Sequence, residues 1–203
     1  ARAFDGMTEK LRRTTVSRDE LAHTNAALET QIAERQLAER KVHEQVERLN
    51  LLQQITRSIG ERQDLRSIFQ VVVRSLEDQL PIDFSCICLY HRAEHALQVT
   101  CVGVRSEALA QSFMMGEQAH IPIDENGLSS CVRGQLVYEA DIAQVAFPFP
   151  QRLAQGGLRA LVMAPLLAEN TVFGILIVAR RAANSFTSGE CEFLSQLSEH
   201  VAL

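Results

Sequence analysis

LRALVMAPLLAENTVFGILIVA, residues 158–179, is the stretch on which the fold turns. Two apolar runs, Ala160–Leu166 and Val172–Ala179, read as strands joined by the polar turn Ala168–Thr171. Upstream, Phe84–Tyr90 and Leu97–Val102 flank the charged turn His91–His95 and read as an antiparallel hairpin. Briefer strands are expected near His120–Ile123 and over Leu136–Glu139. Helical stretches are expected over Ser106–Met115 and Leu128–Arg133, the latter entered by the turn Asp124–Gly127. Residues 140–158, with Phe147-Pro148-Phe149-Pro150 and Gly156-Gly157, form a lid-like loop carrying a short helix. Helices bracket the whole. Asp64 caps one with the apolar face Leu65, Ile68, Phe69, Val72 and Leu76, which Pro81 stops. Thr187 and Glu190 make a capping box for the other, Phe186 staples against Cys191, and the inner face is Phe193, Leu194, Leu197 and Val201. Helices at both ends of a sheet make an α+β domain.

The preceding residues are of another kind. Glu, Arg, Gln, Ala and Thr dominate residues 12–48, which carry too little apolar surface for a core of their own. A heptad seam nevertheless runs Phe4, Met7, Leu11, Thr14, Arg18, Leu21, Asn25, Leu28, Ile32, Arg35, Glu39, Val42, Val46, Leu49, Gln53 and Thr56, nine of the sixteen positions apolar, with no Gly or Pro between residues 7 and 59. One seam held over so many heptads predicts a coiled coil. Asn25 at an a position favours a parallel pair in one register. Leu21, Asn25, Leu28, Ile32, Val42, Val46 and Leu49 are therefore the expected dimerisation residues. Arg35 and Glu39 place charges in or beside the seam, four residues apart, able to pair with each other or across the helices, at a local cost in coil stability. After Leu49 the apolar set shifts to Leu52, Ile55 and Ile59, and Gly60 ends the helix. The expected organisation is a coiled-coil helix over residues 1–59 and a globular domain over 60–203.

Bulk properties narrow the function. The net charge is −5 and no basic stripe interleaves with aromatics, so nucleic acid is not expected as a partner. No apolar run approaches the ~20 residues that span a bilayer. The chain opens at Ala1 without a Met and is read as an excerpt. Five cysteines with no CxxC read as buried, reduced thiols.

Glu125-Asn126-Gly127-Leu128-Ser129, Tyr138-Glu139-Ala140-Asp141-Ile142, GLRALVMAPLL up to Leu167, VFGILIV over Val172–Val178 and the closing Phe186-Thr187-x-x-Glu190 resemble a GAF domain in content and order. The resemblance covers residues 50–203. It implies a six-stranded antiparallel sheet with dimerising helices on one face. On the other face it implies a ligand pocket, roofed by the loops around Asp141. Phe4-Asp5-Gly6-Met7-x-x-x-Leu11 resembles the exit of a HAMP domain, and Leu21–Arg40 is similar to linker helices of sensor histidine kinases. Together these imply the cytoplasmic portion of a bacterial, membrane-anchored two-component receptor, with a membrane or HAMP part upstream and a kinase part downstream. The fragment itself is then non-catalytic.

His43-Glu44 begins a phosphoacceptor box, but Gln45–Arg48 do not continue it. Of the Asn-Lys…Phe…Asp-Glu pattern of cyclic-nucleotide GAF domains only Phe186 is kept, since Ala179-Arg180 and Glu190-Cys191 stand at the other places. No Cys adjoins a His as in bilin-binding relatives, and the cysteine spacing differs from that expected of the methionine-sulfoxide-reducing enzymes of this fold. No cofactor is assigned. The expected pocket residues are Cys101, Phe113, Ile121, Phe147, Phe149, Leu153 and Arg159, an apolar lining with one cation. The same side chains are equally suited to filling that pocket. Three readings stay open: a small-molecule sensor coupled to a dimeric helix, a ligand-free dimerisation spacer, and a redox or metal sensor using Cys86, Cys88 and Cys101.

Overall fold

The computed structural model describes residues 31–55, 64–123, 127–168 and 170–201. The seam positions Leu21, Asn25 and Leu28, the HAMP-like start and Glu125-Asn126 lie outside these residues, as do Ile59 and Gly60. The chain divides into two units between Asn50 and Leu51.

In the first unit residues 31–50 are helical, part of a helix α1 described over residues 31–55. Its seam residues Ile32, Val42, Val46 and Leu49 are 46–58% exposed. Arg35 and Glu39 pair along the surface, Nε to Oε1 at 2.8 Å.

The second unit begins earlier than the boundary expected at residues 59–60, because Leu51, Leu52 and Ile55 are buried in its core. Its sheet has six strands in the order β3-β2-β1-β6-β5-β4: β1 Phe84–His91, β2 Ala96–Val102, β3 His120–Pro122, β4 Val137–Glu139, β5 Ala160–Ala168 and β6 Thr171–Arg180. Every pairing is antiparallel. The long runs singled out in the sequence become β5 and β6. Both are buried on both faces, which is why they read as continuous apolar stretches rather than alternating ones. Pro165 is tolerated inside β5 because β4 pairs only with Leu161–Met163, so no outer strand needs its missing N–H.

One face is covered by the end of α1, by α2 (Leu65–Gln79) and by α6 (Ser188–His200). Asp64 caps α2 by accepting from the Arg66 and Ser67 amides. Leu65, expected on the inner face of α2, is exposed; Val73 and Glu77 are buried instead, on the stripe of Phe69. The expected capping box of α6 is formed, the Glu190 amide donating to Thr187 Oγ1 and the Thr187 amide to Glu190 Oε2.

The other face is covered by shorter pieces: α3 (Glu107–Ser112), α4 (Gly127–Cys131), a single 3-10 turn at Ile142–Gln144, and α5 (Pro148–Gln155). Pro148 starts α5 where a missing N–H costs nothing.

Candidate functional site

The face roofed by short elements is where the pocket was expected, and its residues divide three ways. Phe113, Ile121, Phe149 and Leu153 point into one apolar cluster with Phe84, Met115 and Leu158, and all are buried. Ile121, Phe149 and Leu153 fill the space above the sheet rather than line a void; Phe113 meets Phe84 edge to face, centroids 5.6 Å apart, and also reaches the rim of this face. Phe147 lies at the start of α5 and is 41% exposed. Cys101 is on the opposite face, in the core beneath the long helices. It does not belong to this site.

An irregularity in the β1–β2 pairing puts Cys101 on that opposite face. Near the hairpin tip Leu89 faces Gln98 and Cys88 faces Val99, a register that extended inward would set Cys101 beside Cys86. A bulge between Ile87 and Cys88 shifts it, so Cys101 opposes Ile87. Cys86 and Cys88 remain neighbours, with sulfurs 4.0 Å apart. The contact with Cys88, together with burial, pushes the Cys86 thiol well up. Burial raises Cys101 to about 11 and Cys131 to about 12. Thiols held this firmly protonated are poor nucleophiles and poor ligands. Among the described residues no group of three His, Cys, Asp or Glu is arranged to hold a metal ion.

Open space exists at the rim of this face. A cleft of about 430 Å³ lies between the end of α3 and α5. Phe113, Met114 and Pro148 give it apolar walls, and Ser112, Gln151, Arg152 and Gln155 give it polar ones. Met114 takes a left-handed backbone, φ 54°, which turns its side chain out to solvent. Gly156 is required here, because a Cβ would stand 1.9 Å from the Phe113 ring. The cation of the cleft is Arg152, not the expected Arg159.

Arg159 has other work. Its guanidinium grips Asp141 with two parallel bonds, Nε to Oδ1 at 2.7 Å and Nη2 to Oδ2 at 2.6 Å. The Arg159 bonds, with help from the Ala143 amide, hold the Asp141 carboxyl down at about 2. The backbone continues the link: the Ile142 amide donates to Arg159 O, and the Arg159 amide to Arg180 O, both at 2.7 Å. Arg180 is buried at the end of β6. Its Nη2 donates to Glu190 Oε1 at 2.6 Å, its Nη1 to Ser185 O, and its guanidinium lies 4.2 Å from the centroid of the Phe186 ring. Burial works to raise the Glu190 pKa, but the bonds from Arg180 and Thr187 outweigh it and the net shift is downward. Tyr138 on β4 packs edge to face on Phe186. An unbroken ladder thus joins the 141–158 loop to the first turn of α6. Sequence reading found Thr187–Glu190 but not Arg180, whose signal was a charge ending a fully apolar strand.

A second polar anchor went unread. Glu77, buried on α2, accepts from Ser106 Oγ at 2.7 Å, from Ser85 Oγ at 3.2 Å and from the Arg105 amide at 3.1 Å. It fixes α2 to β1 and to the β2–α3 corner, where Gly103 leaves room for its carboxylate.

Residues 64–203, the larger part of the chain, match the GAF domain family. The chain belongs to the GAF family. It matches no curated protein. Among solved structures it is similar to the GAF domain of a phosphoenolpyruvate-protein phosphotransferase from Coxiella burnetii, at 18% identity and TM-score 0.64, covering 76% of this chain and 90% of that one. It is similar to free methionine-R-sulfoxide reductase from Neisseria meningitidis at 14% identity and TM-score 0.60, covering 76% and 86%. It is also similar to a domain of a two-component sensor histidine kinase protein from Sinorhizobium meliloti at 12% identity and TM-score 0.53, covering 70% and 90%. At such identities the likeness is one of fold. GAF domains are in general regulatory or sensory, while enzymes occur among these neighbours.

Proposed function

We propose that this chain is a non-catalytic signal-relay region of a two-component-type receptor, in which the loop over residues 141–158 reports its state to α6. The observation that carries the reading is the ladder Asp141–Arg159–Arg180–Glu190. It begins on the loop that roofs the cleft and ends in the capping box of the closing helix. A small molecule that tightens the loop then biases the helix packing, by no more than its own difference in affinity for the two packings, typically ~1–3 kcal/mol. A double-mutant cycle of Asp141→Asn with Glu190→Gln tests this, read by urea unfolding. The relay predicts clearly non-additive losses, and simple additivity contradicts it.

The same reading makes α1 the dimer element, a parallel pair closing over Ile32, Val42, Val46 and Leu49, whose exposure is what an unpartnered seam leaves. Sedimentation at tens of micromolar should find a dimer; a monomer overturns this part. The receptor is bacterial, and this region lies on its cytoplasmic side, with a membrane or HAMP part upstream and a kinase downstream.

The ligand-free spacer is favoured by one observation, the self-filled cluster of Phe113, Ile121, Phe149 and Leu153. Mass spectrometry of the gently purified protein separates the two readings. A stoichiometric co-purifying molecule supports the sensor.

A further inference from the structure

Resting on the sensor reading above, we propose that the α3–α5 cleft takes a small organic carboxylate with an apolar body. Its volume, about 430 Å³, falls within the ~300–1,000 Å³ of small-molecule sites. The lining contains no acidic residue, although the chain as a whole carries a net charge of −5. Its one cation, Arg152, is half-buried and has no ion pair or hydrogen bond from its side chain among the described residues. Five other arginines of the domain are committed to carboxylates: Arg159 to Asp141, Arg180 to Glu190, Arg181 to Asp83, Arg66 to Glu117, Arg105 to Asp78. A guanidinium left unmatched in a recess is suited to a planar carboxylate, which it holds through two parallel bonds.

The remaining walls define the rest of the ligand. Ser112 Oγ already donates to Leu109 O at 2.7 Å, so towards the cleft it offers lone pairs. Gln151 and Gln155 add amide groups on the α5 side. Phe113, Met114 and Pro148 supply the apolar surface against which a ring or branched chain packs. Phe113 is braced by Gly156 and Phe84, while Met114 is exposed and free to fold over an occupant. The cleft therefore reads two features together, a carboxylate and an apolar body about the size of one ring.

The test is a titration of the full chain followed by amide chemical shifts and by calorimetry, with phenylacetate as the probe. Phenylacetamide, acetate and phenyl phosphate serve as controls for charge, body and oxyanion type. Phenylacetate should shift amides at residues 112–114, 149 and 151–156, and phenylacetamide and acetate should each bind at least tenfold more weakly. Arg152→Gln should weaken phenylacetate roughly ten- to hundred-fold, the loss of a charge-assisted pair, while Arg152→Lys keeps part of the affinity. Silence of the cleft amides at millimolar probe, equal binding of phenylacetamide, or unchanged affinity in Arg152→Gln overturns the proposal. Tighter binding of phenyl phosphate overturns the carboxylate assignment, and equal binding of acetate overturns the apolar body. The relay is read separately at residues 188–193. A responding cleft with a silent α6 leaves the ligand class standing and breaks the relay. A silent cleft in a protein whose α6 answers to Asp141→Asn does the reverse.

Discussion

The two faces of the sheet are built to different standards. Beneath α2, α6 and the end of α1, helices of 13 and 15 residues bury Phe69, Val72, Leu76, Phe193 and Leu194, with Glu77 pinned by two hydroxyls and an amide. Across the sheet the cover is helices of 5 to 8 residues joined by loops, with Met114 and Phe147 turned to solvent beside a cleft. Short helices are marginal by themselves and hold only through tertiary contacts, so this face opens at lower cost. On the proposed reading one face keeps the shape and the other responds. The ladder from Asp141 to Glu190 joins them at one end of the sheet.

The largest effect should come where the faces are tied. Arg180→Gln strips the buried partner from Glu190 and leaves that carboxylate uncompensated, for an expected loss of about 3–5 kcal/mol in urea unfolding. A loss below 1 kcal/mol would mean the tie carries little.

Next in size is a matched pair of truncations. Leu194→Ala and Leu153→Ala each remove one fully buried leucine, from the helix face and the cleft face. Such changes cost ~2–5 kcal/mol, least where the surroundings collapse into the hole. Leu194→Ala should fall near the top of that range, and Leu153→Ala near the bottom with faster exchange confined to α5. Equal costs would erase the contrast between the faces.

A smaller effect follows from acid. The folded Asp141 carboxyl titrates at about 2, below its ordinary 3.8. A depressed carboxylate contributes stability in full above the unfolded value and loses it as pH falls through the folded one. The loop should therefore stay anchored at pH 5 and loosen between about pH 4 and 2, and Asp141→Asn should remove this step from the acid profile of loop exchange. An identical profile in the variant would contradict the anchor.

The smallest effect concerns the arm. Arg35 and Glu39 pair in the open, where such i,i+4 pairs are worth ~0.3–0.5 kcal/mol. If the arm pairs as proposed, replacing both by Leu should raise the melting temperature, since the seam gains apolar contacts and loses only that pair. An unchanged or lower value would show that this part of the seam is not in the dimer interface.

What was legible in the sequence was local. The cap at Asp64, the box at Thr187 and Glu190, and the double-buried runs of β5 and β6 depend on residues a few positions apart, and all were read correctly. What was not legible depends on pairing over distance. Cys101 changes face because of one bulge, which no periodicity announces. Arg159 and Arg152 look alike in the loop, seven residues apart. Which of them is free follows only from Arg159 folding back onto Asp141 across a separation of 18 positions. Glu77 lies on the Phe69–Val73 stripe, where a charge looks like the edge of an amphipathic face until Ser85 and Ser106 meet it.

The central claim is that the loop and the closing helix move together, and hydrogen exchange on the Asp141→Asn variant tests it most directly. Breaking the first rung should speed exchange over residues 142–158 and also over the first turn of α6, at Glu190 and Cys191, whose amides bond to Thr187. Faster loop exchange with α6 unchanged from the wild type would contradict the account.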